Sequence, residues 1–471
     1  MRIWIIFLAS FCFAIAPLSA NAQTDRPPPT AKLRQGNIVG SAEADLNAFR
    51  GIEYARAERW QLPTAPPSWL GTKPATAFGP SCPQAGQTEM KETCLFANVF
   101  SPASATPNER LPVVVWIHGG GFRAGSGGDG PRLWARQGIV VVTFNYRLGL
   151  LGFRDWAGWR ATDPRNFGQA DMVAALAWVK ANIAAFGGDP TKVTLYGHSA
   201  GGMGVQLMMT DPRARGLFAR AIADAGYADW PFPAAMNPSD EMRRRMKYPR
   251  LETNATPQEL VARAPYFLLP YVGGSDLARQ PSALFNAGRV ARVPYLAGFN
   301  SFDGGSTLAG AGFDPDSFAA LFAQPSALRS LYAADYAVSA NQGAQRAFGD
   351  RRYGVSALGS VRAMARLGQP ARLFLIDDHP ADQLGAGHGS HVRALFGDEP
   401  NVLRPYFLSF IKTGRVSGAA LPIWPTWTGQ NGRWLLVGTQ PSVVSDPTSG
   451  RLDRLKALPV VPEASFNIPS L

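Results

Sequence analysis

A serine lies between two glycines in the sequence Gly-His-Ser-Ala-Gly at residues 197–201. An extended run precedes this sequence at residues 192–195, and a helix-like stretch follows at residues 203–209. On so sharp a turn from strand to helix, the positions two residues before and after the serine leave no room for side chains. The turn exposes the Ser199 hydroxyl and directs the Ala200 amide, at the start of the helix, towards the same point. We therefore predict a serine nucleophile with one oxyanion donor beside it.

A second glycine motif, at residues 119–121, directly follows the β-branched run at residues 113–117. Glycines allow the backbone to approach a ligand closely with its N–H groups exposed. Gly120 and Gly121 are therefore expected to supply the oxyanion donors that the Ala200 amide cannot supply alone. The two motifs together predict acyl transfer through a tetrahedral oxyanion.

A serine nucleophile needs a base within hydrogen-bond reach and an acid that orients the base. Histidine is the expected base, and two of the histidines already belong to the glycine motifs as neighbours of the site. The other three follow a predicted strand at residues 371–376, and of these only His388 is flanked by glycine on both sides. The five histidines of the chain are His118, His198, His379, His388 and His391.

The elements that must position these residues alternate between strands and helices, which predicts one open, mostly parallel sheet flanked by helices. Continuous β-branched runs are typical of central strands that are covered on both faces. Apolar residues three to four positions apart predict an amphipathic helix at residues 171–186. The predicted strands lie near residues 36–40 and 46–54 (as a pair), 99, 113–117, 139–144, 218–223, 293–298, 371–376 and 434–437 (as an edge), with a helix at 403–412.

Length and composition favour a single large domain. The 471 residues could form two or three domains, but no linker or internal repeat divides them, and 46% hydrophobic residues suffice for one core. We predict that this domain spans residues 23–471. The formal net charge of +12 is interpreted as a surface property, because no nucleic-acid-binding motif is visible.

The first 22 residues have the pattern of a secretory signal peptide, with Arg2 at the start, an apolar run and small residues before a cleavage site near Ala22. The apolar run is too short to span a bilayer, so stable membrane insertion is not expected. Cleavage would remove Cys12 and leave Cys82 and Cys94 in a compartment that oxidises thiols. We therefore predict a secreted or periplasmic protein with a Cys82–Cys94 disulfide.

The motifs in their order resemble the carboxylesterase and cholinesterase (type B) branch of the α/β hydrolases. The resemblance covers nearly all of the chain after the predicted signal peptide and implies the α/β-hydrolase fold. The matching motifs lie at residues 49–52, 78–84, 94–99, 118–122, 145–149, 166–168, 186–190, 196–202 and 421–425.

The resemblance also assigns the base and the acid. Gly387-His388-Gly389 matches the family's His-Gly motif, which implies that His388 is the base, with His391 as the nearest alternative. Residues 298–304 resemble the family's Gly-x-Asn-x-x-Glu-Gly, with Asp303 in the position of the acid. The chain order of serine, acid and histidine is the order that this fold uses. The implied reaction is hydrolysis of a small-molecule ester by water, without a cofactor.

Several positions depart from the family pattern. The loop between the two cysteines contains no tryptophan, so a choline ester is not an expected substrate. Ala225 replaces a serine, and His391 replaces a glutamate, and each change is expected to remove a hydrogen-bonding partner near the site. His391 with the basic run at residues 243–247 suggests a preference for esters that carry a carboxylate. His388-x-x-His391 has the spacing of metal ligands, but no third ligand is near, so no metal is expected.

Two alternatives to an esterase remain open at this stage. The same acyl-enzyme chemistry serves an amidase or a lactonase, because it does not fix the leaving group. Some relatives use this fold as non-catalytic binding modules, although here every position of the expected site is filled. The acyl and alcohol specificity and the oligomeric state cannot be deduced from these motifs.

Overall fold

The computed structural model of the protein describes residues 26–154, 166–233, 254–265, 268–308, 314–417, 421–429 and 432–460. The predicted signal peptide at residues 1–22 and the basic run at residues 243–247 lie outside these ranges. No helix within these ranges combines the length and the apolar character that crossing a bilayer requires.

Eleven strands of the described residues form one twisted, mixed sheet in the order β14-β13-β12-β11-β10-β9-β7-β8-β6-β4-β3. The pairings from β8 through β13 are parallel, while β14 at one end and β6, β4 and β3 at the other are antiparallel. The strands of this sheet are β3 (Ser41–Ala42), β4 (Leu46–Glu53), β6 (Phe96–Pro102), β7 (Leu111–Ile117), β8 (Val140–Phe144), β9 (Gly188–His198), β10 (Arg220–Asp224), β11 (Tyr295–Asn300), β12 (Ala371–Ile376), β13 (Trp434–Val437) and β14 (Pro441–Val444).

A small second sheet consists of β1 (Thr30–Lys32), β2 (Asn37–Val39) and β5 (Thr72–Pro74) in the order β1-β2-β5. The predicted pairing of residues 36–40 with residues 46–54 is therefore wrong, because β2 joins this sheet whereas β4 pairs with β3 and β6 in the large sheet. The segment from Leu46 to Phe49 is fully buried, so it gains more from a place in the large sheet.

Helices cover both faces of the large sheet. The helices are α1 (Gly149–Gly152), α2 (Phe167–Asn182), α3 (Ala200–Thr210), α4 (Pro257–Arg263), α5 (Pro281–Asn286), α6 (Asp303–Leu308), α7 (Pro315–Ala319), α8 (Pro325–Leu331), α9 (Ala333–Val338), α10 (Ala340–Gly349), α11 (Val355–Arg366), α12 (Val392–Phe396), α13 (Arg404–Thr413) and α14 (Arg451–Ala457). A π-helical turn, Asp350–Gly354, joins α10 to α11.

The central strands are apolar because both of their faces are covered. Val113, Val115 and Ile117 of β7 pack into one buried cluster, and the alternate residues Val114 and Trp116 pack into the other. Successive side chains of a strand point to opposite faces, so a continuous apolar run supplies both cores at once. The prediction of central strands at residues 113–117 and 139–144 is confirmed.

Other elements differ from the predictions mainly at their ends. The helix predicted for residues 171–186 begins earlier, at Phe167, and its last turn is a 3₁₀ helix, Ile183–Phe186. The strand at residues 434–437 is present, but the prediction that it forms the sheet edge is wrong, because β14 pairs with it on the outside. β14 is half-buried and short, which is typical of edge strands.

Candidate active site

Ser199 lies at the sharp turn where β9 ends and α3 begins, with φ 59° and ψ −124°. This backbone conformation is strained for a residue with a side chain. The two flanking glycines are needed for close packing: a Cβ on Gly197 would lie 2.3 Å from the Gly201 carbonyl carbon, and one on Gly201 would lie 2.0 Å from the Ile117 oxygen. The turn therefore packs against the end of β7 and holds the serine hydroxyl above the sheet.

The structure brings the three predicted residues into one hydrogen-bonded row. His388 Nε2 lies 2.8 Å from Ser199 Oγ, and His388 Nδ1 lies 2.7 Å from Asp303 Oδ1. Asp303 starts α6 directly after β11, and His388 lies in the loop after β12. The strands β9, β11 and β12 run parallel, so their carboxyl ends meet at one edge of the sheet, where ligands bind in open α/β sheets.

Burial shifts the pKa values of Asp303 and His388 in this row. Asp303 is 1% exposed, and burial raises its pKa, although the Asn300 amide that donates to Asp303 Oδ2 at 2.7 Å opposes this shift. Burial also lowers the pKa of His388 from 6.5 to about 4. His388 is therefore neutral at pH 7, and its Nε2 can accept the serine proton. The ring is held in place by Tyr353, which stacks on it with centroids 4.8 Å apart.

The glycine motif after β7 adopts backbone conformations that favour glycine. Gly120 has φ 100° and Gly121 has φ 64°, both in the left-handed region. Both residues line the pocket that contains Ser199 and His388. Ala200, the other predicted donor, is buried at the first residue of α3, next to the serine. Gly120 and Gly121 thus share the pocket with Ser199, and Ala200 directly follows the serine in the chain.

The pocket above the serine has a volume of about 550 Å³. Its wall is mostly apolar and aromatic, with two arginines, Arg123 and Arg352, among the residues that line it. Arg352 belongs to the π-helical turn and lies 4.2 Å from the ring centroid of Tyr227. A pocket of this size accepts a small or medium organic molecule.

The sequence model of the carboxylesterase family matches residues 27–454. The chain belongs to the carboxylesterase family. A para-nitrobenzyl esterase of Bacillus subtilis is 42% identical over 208 residues, which is 41% of this chain and 42% of that protein. Carboxylesterase 1F of Mus musculus is 28% identical over 510 residues, covering 88% of this chain and 91% of the mouse protein.

The fold of this chain is also similar to that of solved esterase structures. A PNB esterase structure superimposes with a TM-score of 0.78 at 27% identity, covering 91% of this chain and 100% of that one. A carboxylesterase of Geobacillus stearothermophilus gives a TM-score of 0.76 at 26% identity and covers 90% of this chain. The predicted family and α/β-hydrolase fold are confirmed. The match to the Bacillus esterase spans less than half of that protein's length.

The disulfide predicted for this carboxylesterase-family chain is present between Cys82 and Cys94, with Cα atoms 5.0 Å apart. The loop that it closes contacts the segment that follows the glycine motif, because Gln84 accepts a hydrogen bond from the Gly125 amide at 2.9 Å and donates to the Gly125 carbonyl at 3.0 Å. Pro83 and Ala85 of the loop line the pocket. The disulfide loop is therefore part of the pocket wall.

The other histidines take different places. His118 stacks on Tyr146 with centroids 4.3 Å apart, and burial lowers its pKa to about 4. His198 lies beside His388, with centroids 4.7 Å apart, and burial lowers its pKa to about 3. His379 is partly exposed, 3.6 Å from Asp377. Within the described ranges, no group of three or more His, Cys, Asp or Glu side chains could hold a metal ion.

The change at position 391 was expected to remove a hydrogen-bonding partner near the site, but His391 itself forms a hydrogen bond there. Its Nε2 lies 2.7 Å from Oδ2 of Asp224, the last residue of β10. His391 is absent from the residues described as lining the pocket, which removes one basis for the predicted preference for acidic esters. Asp224 was missed by sequence reasoning, although an acid at the carboxyl end of a parallel strand was a usable signal.

Proposed function

We propose that this protein is a serine carboxylesterase that hydrolyses carboxylic esters through Ser199, His388 and Asp303. The observation that supports this most strongly is the row of two short hydrogen bonds, at 2.8 and 2.7 Å, in a chain of the carboxylesterase family. A nucleophile, a base and an orienting acid in this order are what acyl transfer to water requires.

In the first half of the reaction, the Ser199 hydroxyl attacks the ester carbonyl carbon while His388 Nε2 takes its proton. Asp303 holds the Nδ1 proton of His388, which fixes the tautomer and stabilises the imidazolium that forms. The carbonyl oxygen becomes an oxyanion, for which the amides of Gly120, Gly121 and Ala200 are the donors. Collapse of this intermediate transfers the proton from His388 to the alcohol, which leaves.

In the second half, water attacks the acyl group on Ser199. His388 takes a proton from that water as it attacks, and the oxyanion forms again in front of the same amides. Collapse returns the proton to Ser199 and releases the carboxylic acid. The neutral resting state of His388, which burial favours by lowering its pKa, suits it to act as the base in both halves.

The proposed substrates are uncharged or weakly polar esters of small to medium size. The pocket of about 550 Å³ has a largely apolar wall that includes Tyr227, Val261 and Tyr353. The described residues that line it include no tryptophan, so we do not propose a choline ester as a substrate. One relative is named a para-nitrobenzyl esterase, so aryl and benzyl esters are reasonable first probes.

We also propose export of the protein. The signal pattern at residues 1–22 and the Cys82–Cys94 disulfide both fit an oxidising compartment. Expression of the full chain in a bacterium, followed by fractionation and N-terminal sequencing, tests the proposal. A mature protein that begins near residue 23 outside the cytoplasm supports export, and an intact cytoplasmic chain contradicts it.

The test of the catalytic proposal is Ser199→Ala, assayed with para-nitrobenzyl acetate. We expect a loss of turnover of about 10⁶-fold, as for other serine nucleophiles of this type. Ser442→Ala, on the half-buried edge strand β14, is the control and should retain full activity. Turnover of Ser199→Ala within tenfold of the unmodified protein would refute the assignment.

The alternative functions, a binding module, an amidase and a lactonase, can be tested with the unmodified protein. A serine-directed phosphonate should label Ser199 stoichiometrically if the site is catalytic, whereas a non-catalytic binding module would not react. A matched pair of an ester and an amide with the same acyl group separates an esterase from an amidase. A lactone of similar size extends the comparison to cyclic esters.

A further inference from the structure

Asp224 and His391 form a second carboxylate–imidazole contact close to the proposed catalytic row. The bond from His391 Nε2 to Asp224 Oδ2 is 2.7 Å long, and the two side chains are 7% and 0% exposed. His391 follows His388 by three residues in the same loop, and Asp224 ends β10, between the serine strand β9 and the acid strand β11. The pair therefore lies between the elements that carry the three proposed catalytic residues.

The hydrogen bonds around Asn300 orient the ring of His391. Asn300 Nδ2 lies 2.7 Å from the Gly387 carbonyl oxygen, which can only accept, so this atom is the amide nitrogen. The same nitrogen lies 3.3 Å from His391 Nδ1. Nδ1 is therefore the acceptor of the ring, and the proton is on Nε2, which donates to Asp224.

The Asp224 backbone and side chain contact both arms of the site. The Asp224 carbonyl accepts the Ser199 amide hydrogen at 2.9 Å, and its carboxylate holds His391. The side-chain amide of Asn300 links the same histidine to the Gly387 carbonyl. The backbone N–H of Asn300 donates a hydrogen bond to Asp303. These hydrogen bonds attach the loop that carries His388 to the ends of β10 and β11. The contacts of His388 itself are therefore not the only ones that hold the loop in place.

Asp224 is also a buried negative charge. Burial works against its ionisation, but the contact with His391 outweighs this effect and lowers the pKa of Asp224. The ionised carboxylate raises the pKa of His388, because it favours the protonated ring. During the reaction His388 becomes an imidazolium, so this field stabilises the transition state more than the resting state.

We propose that Asp224 and His391 form a second carboxylate–imidazole pair, in which His391 positions the loop that carries His388 and the Asp224 carboxylate stabilises the imidazolium that forms on His388 during ester hydrolysis. The inference rests on the proposed function and deepens it. His391 and Asp224 are positioning residues, since neither lines the pocket. The charged or titratable groups that act on His388 from the surrounding elements are Asp303 of α6, Asp224 of β10, His198 of β9, His391 of its own loop, and Arg352 and Tyr353 of the π-helical turn.

Three substitutions test the pair by kcat, KM and the pH profile. His391→Ala removes both hydrogen bonds, and we expect kcat to fall on the order of 100-fold with little change in KM, because the base is misplaced. His391→Gln can still donate to Asp224 and accept from Asn300 through its amide, so it should recover most of the lost kcat. Asp224→Asn keeps the shape but removes the charge, which should lower kcat and move the acid limb of kcat/KM to lower pH.

The control variants are His379→Gln and Asp377→Asn, from a partly exposed histidine–aspartate pair 3.6 Å apart. Neither should change kcat or the acid limb. Active sites are counted in every preparation by titration with a serine-directed phosphonate, so that rates refer to folded enzyme. If His391→Ala does not fold, the comparison of His391→Gln with Asp224→Asn still tests the inference. Only Asp224→Asn should shift the acid limb of the kcat/KM profile.

The inference is overturned if the variants lose thermal stability while kcat per active site and the acid limb stay unchanged, since the pair would then be merely structural. It is also overturned if His391→Gln is as slow as His391→Ala. Failure of the proposed function has a different signature, namely a Ser199→Ala protein that remains active. A dead Ser199→Ala variant with normal Asp224 and His391 variants rejects this inference alone.

Discussion

At the scale of single residues, the site depends on a histidine that burial keeps neutral. Removal from water disfavours the charged ring, and this lowers the pKa of His388 from 6.5 to about 4. Arg352 adds to the shift, while Asp224 opposes it. A neutral ring accepts the Ser199 proton over a wider range of pH than an exposed histidine would.

The corresponding prediction concerns the acid limb of the pH profile. Protonation inactivates His388 as a base, so activity should be lost as the pH falls through its pKa in the folded protein. We expect kcat/KM to stay close to its plateau at about pH 5, where an ordinary histidine is mostly protonated. The measurement is a profile of kcat/KM, with circular dichroism at each pH to check folding. An acid limb centred near the ordinary histidine value, in a folded protein, would contradict it.

At the scale of secondary-structure elements, the serine turn depends on how closely α3 approaches β7. A Cβ on Gly201 would lie 2.0 Å from the Ile117 carbonyl oxygen, which is main chain and cannot rotate away. Gly204, one turn further along α3, has more room: a Cβ there would lie 3.1 Å from Ile117 Cγ2 and 3.2 Å from the Met172 sulfur. Gly201 and Gly204 of this helix therefore have different tolerance for a methyl group.

This difference predicts unequal effects of alanine substitution. Gly201→Ala should destabilise the protein by about 1–3 kcal/mol and remove most of the activity, because the helix and the serine must move away from β7. Gly204→Ala should be close to neutral, since the gain in helix propensity of about 1 kcal/mol offsets a mild steric conflict. Urea denaturation and kcat measured on both variants test this. Equal losses in the two variants would show that the close approach is not the cause.

At the scale of the whole molecule, a buried ion pair joins distant parts of the chain. Arg147, after β8, donates to Asp171 of α2 through Nε at 2.8 Å and through Nη2 at 2.7 Å, and the side chains are 4% and 0% exposed. Its Nη1 lies 3.3 Å from the carbonyl oxygen of Glu58, which lies between β4 and β5. The pair thus connects the sheet, a covering helix and the N-terminal segment.

Breaking this pair should be costly because a buried arginine would remain without its carboxylate. We expect Asp171→Ala to lower the free energy of unfolding by about 3–5 kcal/mol. Asp316→Ala is the matched control, since its ion pair with Arg329 at 2.5 Å is largely exposed, and it should cost less than about 1 kcal/mol. Urea unfolding followed by tryptophan fluorescence gives both values. A cost for Asp171→Ala no larger than that of the control would contradict the prediction.

The sequence alone determined the features that local residues control. The glycines around Ser199, the glycine run before Phe122 and the β-branched central strands express local steric preferences, and their predicted positions agree with the structure. Cys82 and Cys94 could be paired because only two cysteines remain after the predicted cleavage. The family followed from many motifs in one order, and the family match over residues 27–454 confirms it.

Only the tertiary structure decided which distant groups meet. It brings His388 to Ser199 and Asp303 and turns His391, three residues later, to Asp224. It also places β2 in a small separate sheet and adds β14 outside β13. These outcomes depend on which carboxyl ends of strands lie side by side and on which surfaces gain most from burial. Those are properties of the assembled sheet, which no short stretch of sequence specifies.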